Sequence, residues 1–213
     1  MNMIMVISMV LISQSIDFGE IIHLPQANVT GGTSLVESIA GRRSVREFAS
    51  KPLSVEQIGQ LLWAAQGITE KREGLRAAPS AGALYPLEIY VVVPDGVYHY
   101  SPQRHELKRV IQGDKRLELQ NAALGQEAIG SSPVVFVFAA VYERTDVKYA
   151  DRATRYVDIE IGHACQNLLL QATALKLVGV PMGAFYDERV ADLLKLAKNE
   201  SPLYLVPVGY PKE

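Results

Sequence analysis

Residues 79–93 read PSAGALYPLEIYVVV, a run of small residues and prolines that leads directly into an apolar, β-branched segment. The apolar residues 87–93 predict a buried strand, and the small residues before them predict a loop. Small side chains leave backbone N–H and C=O groups uncovered, so the main chain of this loop could hold a flat polar ligand. A tight loop that only lets the strand enter a crowded sheet accounts for the pattern equally well.

The composition favours a single globular domain without a charged macromolecule as its partner. The chain has 213 residues, of which 48% are hydrophobic and 21% charged, and its formal net charge is -2. These values are typical of one soluble α/β or α+β domain and give no indication of nucleic-acid binding. Cys165 is the only cysteine, and the four histidines lack metal-ligand spacing, so we expect no disulfide within the chain and no metal site.

The N-terminus is apolar, and residues 1–12 carry no charge. This segment is too short to span a bilayer, and it lacks the basic start of a secretory signal. We interpret residues 1–30 as an N-terminal arm that packs on the domain or on a partner, and residues 31–213 as a single domain. A cytoplasmic location is expected, and export through the apolar N-terminus is the alternative.

Three arginines in five positions follow the first predicted helix, which covers residues 33–41. Arg42, Arg43 and Arg46 flank Ser44, and the planar fork of a guanidinium suits phosphate oxygens well. A helical turn would place Arg42 and Arg46 on one face, whereas an extended chain would align both with Ser44. Either geometry predicts a phosphate site. A solvated basic turn is the alternative, and DNA binding is a weaker one because the chain is slightly acidic.

Capped helices and apolar runs predict the remaining elements. Ser54 and Gln57 have the spacing of a capping box at the start of a helix. The uninterrupted apolar residues 134–141 predict a central strand that is buried on both faces, and residues 158–178 predict the longest helix. Other predictions are a hairpin over 87–100, helices over 104–111, 115–129 and 187–197, and a strand over 203–208.

Residues 181–185, PMGAF, form a second small-residue passage in which a planar ligand could meet backbone amides. The sequence contains no glycine-rich phosphate loop of the P-loop or dinucleotide type and no G-x-S-x-G elbow. His163 and Cys165 lie in the apolar stripe of the longest helix, so we interpret both as structural. A phosphate-type site, two backbone-lined passages and no obvious nucleophile suit an enzyme whose chemistry is performed by a bound cofactor.

Five segments in this order resemble the nitroreductase family of flavoproteins. They are residues 42–48, 79–86, 162–168, 181–185 and 207–211. The form PSAGALYP resembles in particular the SagB-type dehydrogenase branch, and the resemblance extends from about residue 34 to the end of the chain. It implies an α+β fold with a mostly antiparallel central sheet surrounded by helices. It also implies an intertwined homodimer with one FMN at each of two subunit interfaces.

The resemblance implies contacts to FMN from several segments. Residues on the phosphate, the ribityl chain and the pyrimidine edge would be Arg42, Arg43, Ser44 and Arg46. A second copy of the chain would bring Pro79, Ser80, Ala81 and Gly82 to the flavin. Further contacts would come from Gln126 to the ring system, from Gly183 and Ala184 near N5 and O4, and from Lys212 to the phosphate. A fixed cation near N1 stabilises the charge that reduced flavin gathers there.

The resemblance also implies the activity. We expect an FMN-dependent oxidoreductase that works by ping-pong, in which flavin N5 takes a hydride from NAD(P)H and electrons pass to a small organic acceptor. In SagB-type relatives that oxidise azolines, a Lys-Tyr pair assists proton removal, and Lys148 and Tyr149 stand in a similar place. An azoline or peptide dehydrogenase and a flavin-binding protein without turnover are the alternatives. A phosphate or nucleic-acid binder is a weaker one.

Overall fold

An antiparallel sheet of seven strands is the centre of the computed structural model, which describes residues 21–212. The strands of this part of the chain are β1 (Ile21–His23), β2 (Ile68–Glu70), β3 (Leu75–Arg76), β4 (Leu87–Val93), β5 (Gly96–Ser101), β6 (Glu106–Gln112), β7 (Val134–Ala140), β8 (Val178–Gly179) and β9 (Ser201–Gly209). The order in the sheet is β1-β6-β5-β4-β7-β9-β8, and β2 pairs with β3 in a separate hairpin. The predicted α+β class with a mostly antiparallel sheet is confirmed.

Helices cover both faces of this sheet. They are α1 (Leu35–Gly41), α2 (Val55–Gln66), α3 (Arg116–Ala122), α4 (Glu127–Ser131), α5 (Glu143–Tyr149), α6 (Ala153–Ala174) and α7 (Asp187–Leu194). Ser54 caps α2 in a capping box with Gln57, as predicted from their spacing, and Ser34 caps α1 in the same way with Glu37. These local hydrogen bonds satisfy backbone N–H groups that the first helical turn leaves without partners.

Two hydrophobic cores lie on opposite faces of the sheet. On one face, side chains of β4 and β7 pack against α2 and α6, with Leu61, Phe136 and Leu168 fully buried. On the other face, Val92 and Val137 pack against residues of α3, α4 and α7. All seven residues of β7 are buried, as its uninterrupted apolar sequence predicts.

The helix predicted for residues 104–111 is wrong, because this segment forms strand β6 between β1 and β5. His105 has a φ of 48°, which reverses the chain between β5 and β6. Glu106 and Leu107 are buried, and exposure then alternates along the strand from Lys108 onward. The segment contains residue types that favour helices, so the alternation was not recognised in the sequence. Pairing with strands on both sides overrides their preference for a helix.

The single helix predicted for residues 115–129 is divided into α3 and α4. Leu124 and Gly125 have φ angles of 60° and 76°, which end α3 in left-handed backbone conformations. Residues 69–78 are charged and poor in apolar residues, which predicts an exposed loop, but they contain most of the β2–β3 hairpin. The predicted longest helix is α6, but it begins five residues before the predicted start at residue 158 and ends at Ala174.

The predicted arm of residues 1–30 lies mostly outside the described residues. Its residues 21–23 form β1, which pairs with β6 at the edge of the sheet. The division into an arm and a domain at residue 31 stays a prediction. No helix within residues 21–212 is both long and apolar enough to cross a membrane.

Candidate active site

The arginine-rich segment runs in extended form beside the short strand β8. Arg42 has a φ of -62° and a ψ of 121°, and Ser44 pairs in parallel with Gly179. The N–H of Val45 donates to the carbonyl oxygen of Gly179 over 3.2 Å. Of the two geometries that the sequence allows, the structure has the extended one, which aligns Arg42, Ser44 and Arg46.

Two of the three guanidinium groups in this segment have no partner within residues 21–212. Arg43 donates to the carbonyl oxygens of Ala40 and Arg42 over 3.1 and 2.7 Å, so it satisfies acceptors at the end of α1. Within residues 21–212, the guanidinium groups of Arg42 and Arg46 make no hydrogen bond or ion pair. Together with the exposed Ser44, they are donors that fit a phosphate dianion.

Lys212 lies close to this segment because the end of the chain pairs with it. Phe48 forms an antiparallel bridge with Pro211, and the N–H of Ala49 donates to the carbonyl oxygen of Tyr210 over 2.9 Å. Lys212 Nζ lies 3.3 Å from Glu47 Oε2, and both side chains are exposed. A surface ion pair of this kind contributes little to stability, so this ammonium group is available to an anion.

The small-residue passage at Gly183 and Ala184 is held in place by Gln126. Met182 exchanges backbone hydrogen bonds of 2.8 and 2.9 Å with Leu205 of β9, which positions the start of the passage. The Gln126 amide nitrogen donates to the carbonyl oxygen of Ala184 over 2.8 Å and to that of Ala123 over 2.9 Å. Gln126 therefore positions the passage, and its predicted contact to the flavin ring stays a prediction.

Residues 79–85, which we call the cradle loop, have an unusual backbone. The loop contains a 3-10 turn at Ala81–Ala83, and Gly82, Ala83 and Tyr85 have φ angles of 62°, 53° and 49°. Left-handed conformations cost an L-residue about 1–3 kcal/mol each, and they persist only where the surrounding structure enforces them. The loop must therefore be held by specific contacts.

Tyr85 receives most of these contacts. Its N–H donates to Ser80 Oγ over 2.9 Å, and its hydroxyl accepts from the N–H of Arg76 over 3.1 Å. The Arg76 guanidinium stacks 4.5 Å from the centre of the Tyr85 ring, and Arg144 donates to the Tyr85 carbonyl oxygen over 3.2 Å. Sequence reasoning missed these roles of Arg76 and Arg144, because nothing in the pattern connects them with residue 85.

Lys148 and Tyr149, at the end of α5, lie against the cradle loop. A Cβ atom on Gly82 would stand 2.9 Å from Lys148 Nζ and 3.0 Å from Tyr149 Oη, so only glycine leaves room here for both polar groups. Tyr149 packs edge-on against the ring of Tyr156, with centroids 4.9 Å apart. The structure thus brings the predicted Lys-Tyr pair to the predicted cradle.

We divide the predicted site residues into two sets for description. The arginine cluster comprises Arg42, Arg43, Ser44, Arg46, Gln126, Gly183, Ala184 and Lys212. The cradle cluster comprises Pro79, Ser80, Ala81, Gly82, Lys148 and Tyr149. In the described part of the chain, no hydrogen bond or ion pair joins one cluster to the other.

Comparisons with known proteins identify the family. Residues 39–210 match the model of the Nitroreductase family. The chain is also 47% identical to MJ1384 of Methanocaldococcus jannaschii, which is classed as a nitroreductase, over 82% of this chain and 90% of that protein. The chain belongs to the nitroreductase family. The family predicted from the five sequence segments is confirmed, and it is a family of oxidoreductases.

Solved structures similar to this member of the family have the same fold. A Ralstonia eutropha protein classed as a nitroreductase gives a TM-score of 0.84 at 28% identity, covering 92% of this chain and 91% of that chain. The NADPH:FMN oxidoreductase of Vibrio harveyi, complexed with NAD+, gives a TM-score of 0.63 at 25% identity. That comparison covers 84% of this chain and 69% of the Vibrio chain.

A buried carboxyl group lies beneath the cradle loop. The sequence analysis did not identify it. Glu160 of α6 is 2% exposed, and burial raises its pKa to about 7, although the nearby Ser80, Arg76 and Gln66 side chains lower it in part. Glu160 Oε1 and Gln66 Nε2 are buried and have no hydrogen-bond partner among residues 21–212. The sequence carries a signal for this group, since Glu160 has helical spacing with the buried Val157 and Ala164.

A polar cavity of about 420 Å³ opens beside the cradle loop and is lined in part by Tyr85, Glu88, His99 and Arg144. His99 Nε2 lies 2.6 Å from one oxygen of Glu88, and Arg144 Nη2 lies 2.5 Å from the other. Burial of Glu88 raises its pKa, but the hydrogen bonds from His99 and Arg144 outweigh this and hold the pKa below its ordinary value. The cavity therefore has a fixed anionic carboxylate in its wall.

Of the two α6 residues that were interpreted as structural, Cys165 is buried as expected, whereas His163 is exposed, so its placement in the apolar stripe was wrong. Cys165 is buried in α6, and burial raises the pKa of its thiol to about 12. A thiol in this environment is a poor nucleophile. Among residues 21–212, no group of three or more histidine, cysteine, aspartate or glutamate side chains is placed to hold a metal ion.

Proposed function

We propose that this chain is an FMN-dependent oxidoreductase that transfers electrons from NAD(P)H to a small organic acceptor. Two observations carry this proposal: the guanidinium groups of Arg42 and Arg46 make no hydrogen bond or ion pair within residues 21–212, and a glycine-containing cradle lies beside Lys148 and Tyr149. Family membership and the similarity to an NADPH:FMN oxidoreductase support it. A cytoplasmic location suits this use of NAD(P)H and stays a prediction.

The residues present fit FMN in charge and in shape. Arg42, Arg46 and Ser44 offer planar donor forks and a hydroxyl to a phosphate, and Lys212 adds a further cation close by. The cradle loop offers its main chain to a ligand. A side chain at position 82, where the chain has glycine, would displace Lys148 and Tyr149. This combination of a cationic end and a side-chain-poor face suits an anionic cofactor with a flat ring.

Bound FMN would supply an N5 atom that accepts and returns a hydride. The chain's own residues would bind and orient the cofactor. The guanidinium groups of Arg42 and Arg46 would neutralise its phosphate. At Gly183 and Ala184, the backbone N–H groups make no hydrogen bond within residues 21–212, and the bond from Gln126 to the Ala184 carbonyl fixes the direction of that peptide. Preorganised N–H donors of this kind stabilise developing charge without reorganisation.

We propose further that the protein acts as a homodimer, with each FMN held between the arginine cluster of one copy and the cradle cluster of the other. Within residues 21–212 no hydrogen bond or ion pair joins the two clusters, which is compatible with a flavin that lies between two copies of the chain. Exposed apolar side chains lie next to both clusters: Leu35, Val36 and Ile39 of α1 precede Arg42, and Val147 precedes Lys148, with 56–82% of each residue exposed. Such residues are candidates for burial against a second copy.

The proposal is tested with the purified full-length chain. We expect a yellow dimer whose flavin absorbance bleaches when NADH or NADPH is added without oxygen. Arg42→Ala should lose FMN while its circular dichroism stays unchanged, because the Arg42 side chain makes no hydrogen bond to any other residue in the described range 21–212. Arg72→Ala, which removes an exposed arginine in the β2–β3 turn, is the matched control and should retain FMN. An Arg42→Ala protein that is fully loaded with FMN would refute the site assignment.

A SagB-type azoline or peptide dehydrogenase is the second candidate, and the contact of Lys148 and Tyr149 with the cradle loop favours it. Near a bound flavin, a tyrosine hydroxyl next to an ammonium group could take a proton from a substrate whose hydride leaves to N5. Tyr149→Phe should then abolish substrate oxidation and leave NAD(P)H-dependent bleaching intact. Bleaching without turnover of any acceptor or azoline would instead indicate a flavin-binding protein without catalysis.

A further inference from the structure

The polar cavity beside the cradle loop has two guanidinium groups in its wall, those of Arg76 and Arg144. Its volume of about 420 Å³ lies within the range of about 300–1,000 Å³ that is usual for small-molecule sites. Tyr85 holds both cations. The Arg76 guanidinium lies 4.5 Å from the centre of the Tyr85 ring, and Arg144 donates to the Tyr85 carbonyl oxygen over 3.2 Å.

The carboxylate of Glu88, the one acidic group among the residues that line this cavity, already has a partner at each oxygen. Arg144 Nη2 lies 2.5 Å from one oxygen, and His99 Nε2 lies 2.6 Å from the other. A carboxylate only accepts, so both nitrogens donate to it. Glu88 balances one of the two guanidinium charges, and with a neutral His99 one positive charge remains in the wall.

Both arginines keep N–H groups for a ligand. Arg76 Nη1 donates to Gln66 Oε1 over 3.1 Å, whereas Arg76 Nε and Nη2 make no hydrogen bond within residues 21–212. Arg144 uses its two terminal nitrogens, its Nε makes no hydrogen bond in the same range, and 41% of its side chain is exposed. Guanidinium N–H groups match the paired oxygens of a carboxylate in geometry and in charge.

We propose that this cavity binds the carboxylate group of the organic acceptor and that Arg76 and Arg144 recognise it. The inference rests on the proposed function and names the chemical class of its acceptor, an organic acid. Three apolar residues also line the cavity and suit the carbon skeleton of such a ligand: Leu84, Leu87 and Pro102. Gly82 and Tyr85 are three residues apart, so their Cα atoms are separated by at most about 11 Å. A ligand held at Tyr85 therefore stays close to the cradle.

The first test measures binding, with benzoate as the probe and benzamide as its uncharged analogue. In isothermal titration, the full-length chain should bind benzoate at least about tenfold more tightly than benzamide, because hydrogen bonds from guanidinium to carboxylate are charge-assisted. Benzylamine, a cationic analogue, should bind more weakly than either. Equal affinity for benzoate and benzamide, or a preference for benzylamine, overturns the inference.

Variants locate the binding site. Arg76→Gln and Arg144→Gln should each weaken benzoate binding at least about tenfold and leave benzamide binding within about twofold of wild type. Arg72→Gln, which changes an exposed arginine in the β2–β3 turn, is the matched control and should bind benzoate like wild type. Benzoate affinity that is unchanged in both cavity variants overturns the inference.

A second pair of variants keeps the test valid if loss of either arginine disturbs Tyr85. Gln103 is exposed and also lines the cavity, so a charge placed there acts on the ligand while both arginines stay in place. Gln103→Lys should tighten benzoate binding about two- to fivefold, and Gln103→Glu should weaken it by a similar factor. Affinity that does not respond to the charge at position 103 contradicts the assignment of this cavity.

The second test measures turnover of the FMN-loaded chain with NAD(P)H and with 4-nitrobenzoate or 4-nitrobenzamide as the acceptor. The KM for 4-nitrobenzoate should be at least about tenfold lower at a similar kcat, and Arg144→Gln should remove this difference. Equal KM values in wild type overturn the inference and leave the proposed function standing. A chain that binds benzoate as described but never takes up FMN refutes the proposed function instead.

Discussion

Replacement of Gly82 by alanine tests whether the cradle loop is a ligand site or only a turn. The backbone there has a φ of 62°, so any side chain is strained by about 1–2 kcal/mol. For a chain of about this length, that loss lowers Tm by about 3–6 °C. The new Cβ would also stand 2.9 Å from Lys148 Nζ and 3.0 Å from Tyr149 Oη, and both groups would have to move.

Gly74→Ala separates the two effects. Gly74 has a similar φ of 70°, but a Cβ atom there meets nothing within 4 Å. Both variants should therefore lose about the same stability in thermal unfolding, because the Lys148 side chain is flexible and gives way at its end. Only Gly82→Ala should lose function, since its methyl group would occupy the face of the loop that is proposed to contact the flavin and would displace Lys148 and Tyr149 beside it.

The assay is steady-state turnover of NAD(P)H with a quinone or nitroaromatic acceptor, together with FMN affinity. We expect Gly82→Ala to lose at least about tenfold in turnover and Gly74→Ala to stay within about twofold of wild type. If Gly82→Ala matched Gly74→Ala in Tm, FMN affinity and turnover alike, the loop would be a structural turn. The assignment of the cradle cluster to the active site would then be wrong.

Three other predictions concern stability and the second passage. The pKa of Glu160 is about 7 in the fold, against an ordinary value of 4.5. The unfolding free energy should therefore fall by about 3 kcal/mol as pH rises from 4.5 to 7. Urea unfolding of Glu160→Gln should lack this fall. Leu124→Gly should raise the unfolding free energy by about 0.5 kcal/mol because φ is 60° there, whereas glycine inside one continuous helix would lower it by about 1 kcal/mol. Gln126→Ala removes the 2.8 Å bond to Ala184 and should weaken FMN binding about fivefold by fluorescence titration, and unchanged affinity would show that Ala184 needs no such support.

The parts of the fold that were predicted correctly depend on local signals. The capping box at Ser54 and Gln57 requires only the residues of one helical turn, and the structure has it. Strand β4 has the predicted bounds, and β7 ends within one residue of them, because apolar β-branched runs between turn residues have few alternatives to a buried strand.

Strand β6 was missed because its partners are distant in the sequence. Residues 106–112 contain types that are common in helices, and their alternation of exposure is visible only once β1 and β5 lie on either side. The division between α3 and α4 was missed for a different reason. Leucine is rare in the left-handed backbone conformation, so Leu124 did not indicate the turn that Gly125 completes.

The site could be predicted in its parts but not in its arrangement. The resemblance identified the arginine segment, the cradle and the Lys-Tyr pair, and the structure places Lys148 and Tyr149 against Gly82. The residues that hold the cradle, such as Arg76, were interpreted as part of an exposed loop. Their role depends on the hairpin that carries Arg76 under Tyr85, and no local pattern reports that contact.

Glu160 shows that a buried carboxyl group has a cost in stability. At neutral pH a buried carboxylate without an ion pair lowers global stability, and a neutral residue on the same helical stripe would remove that loss. The cradle loop has a cost of its own, because Ala83 and Tyr85 adopt left-handed backbone conformations that persist only where the surrounding structure enforces them. The loss of unfolding free energy caused by Glu160 develops between pH 4.5 and pH 7 and is complete near pH 7, so a difference between wild type and Glu160→Gln that stayed constant over this range would show that burial does not oppose ionisation of this group.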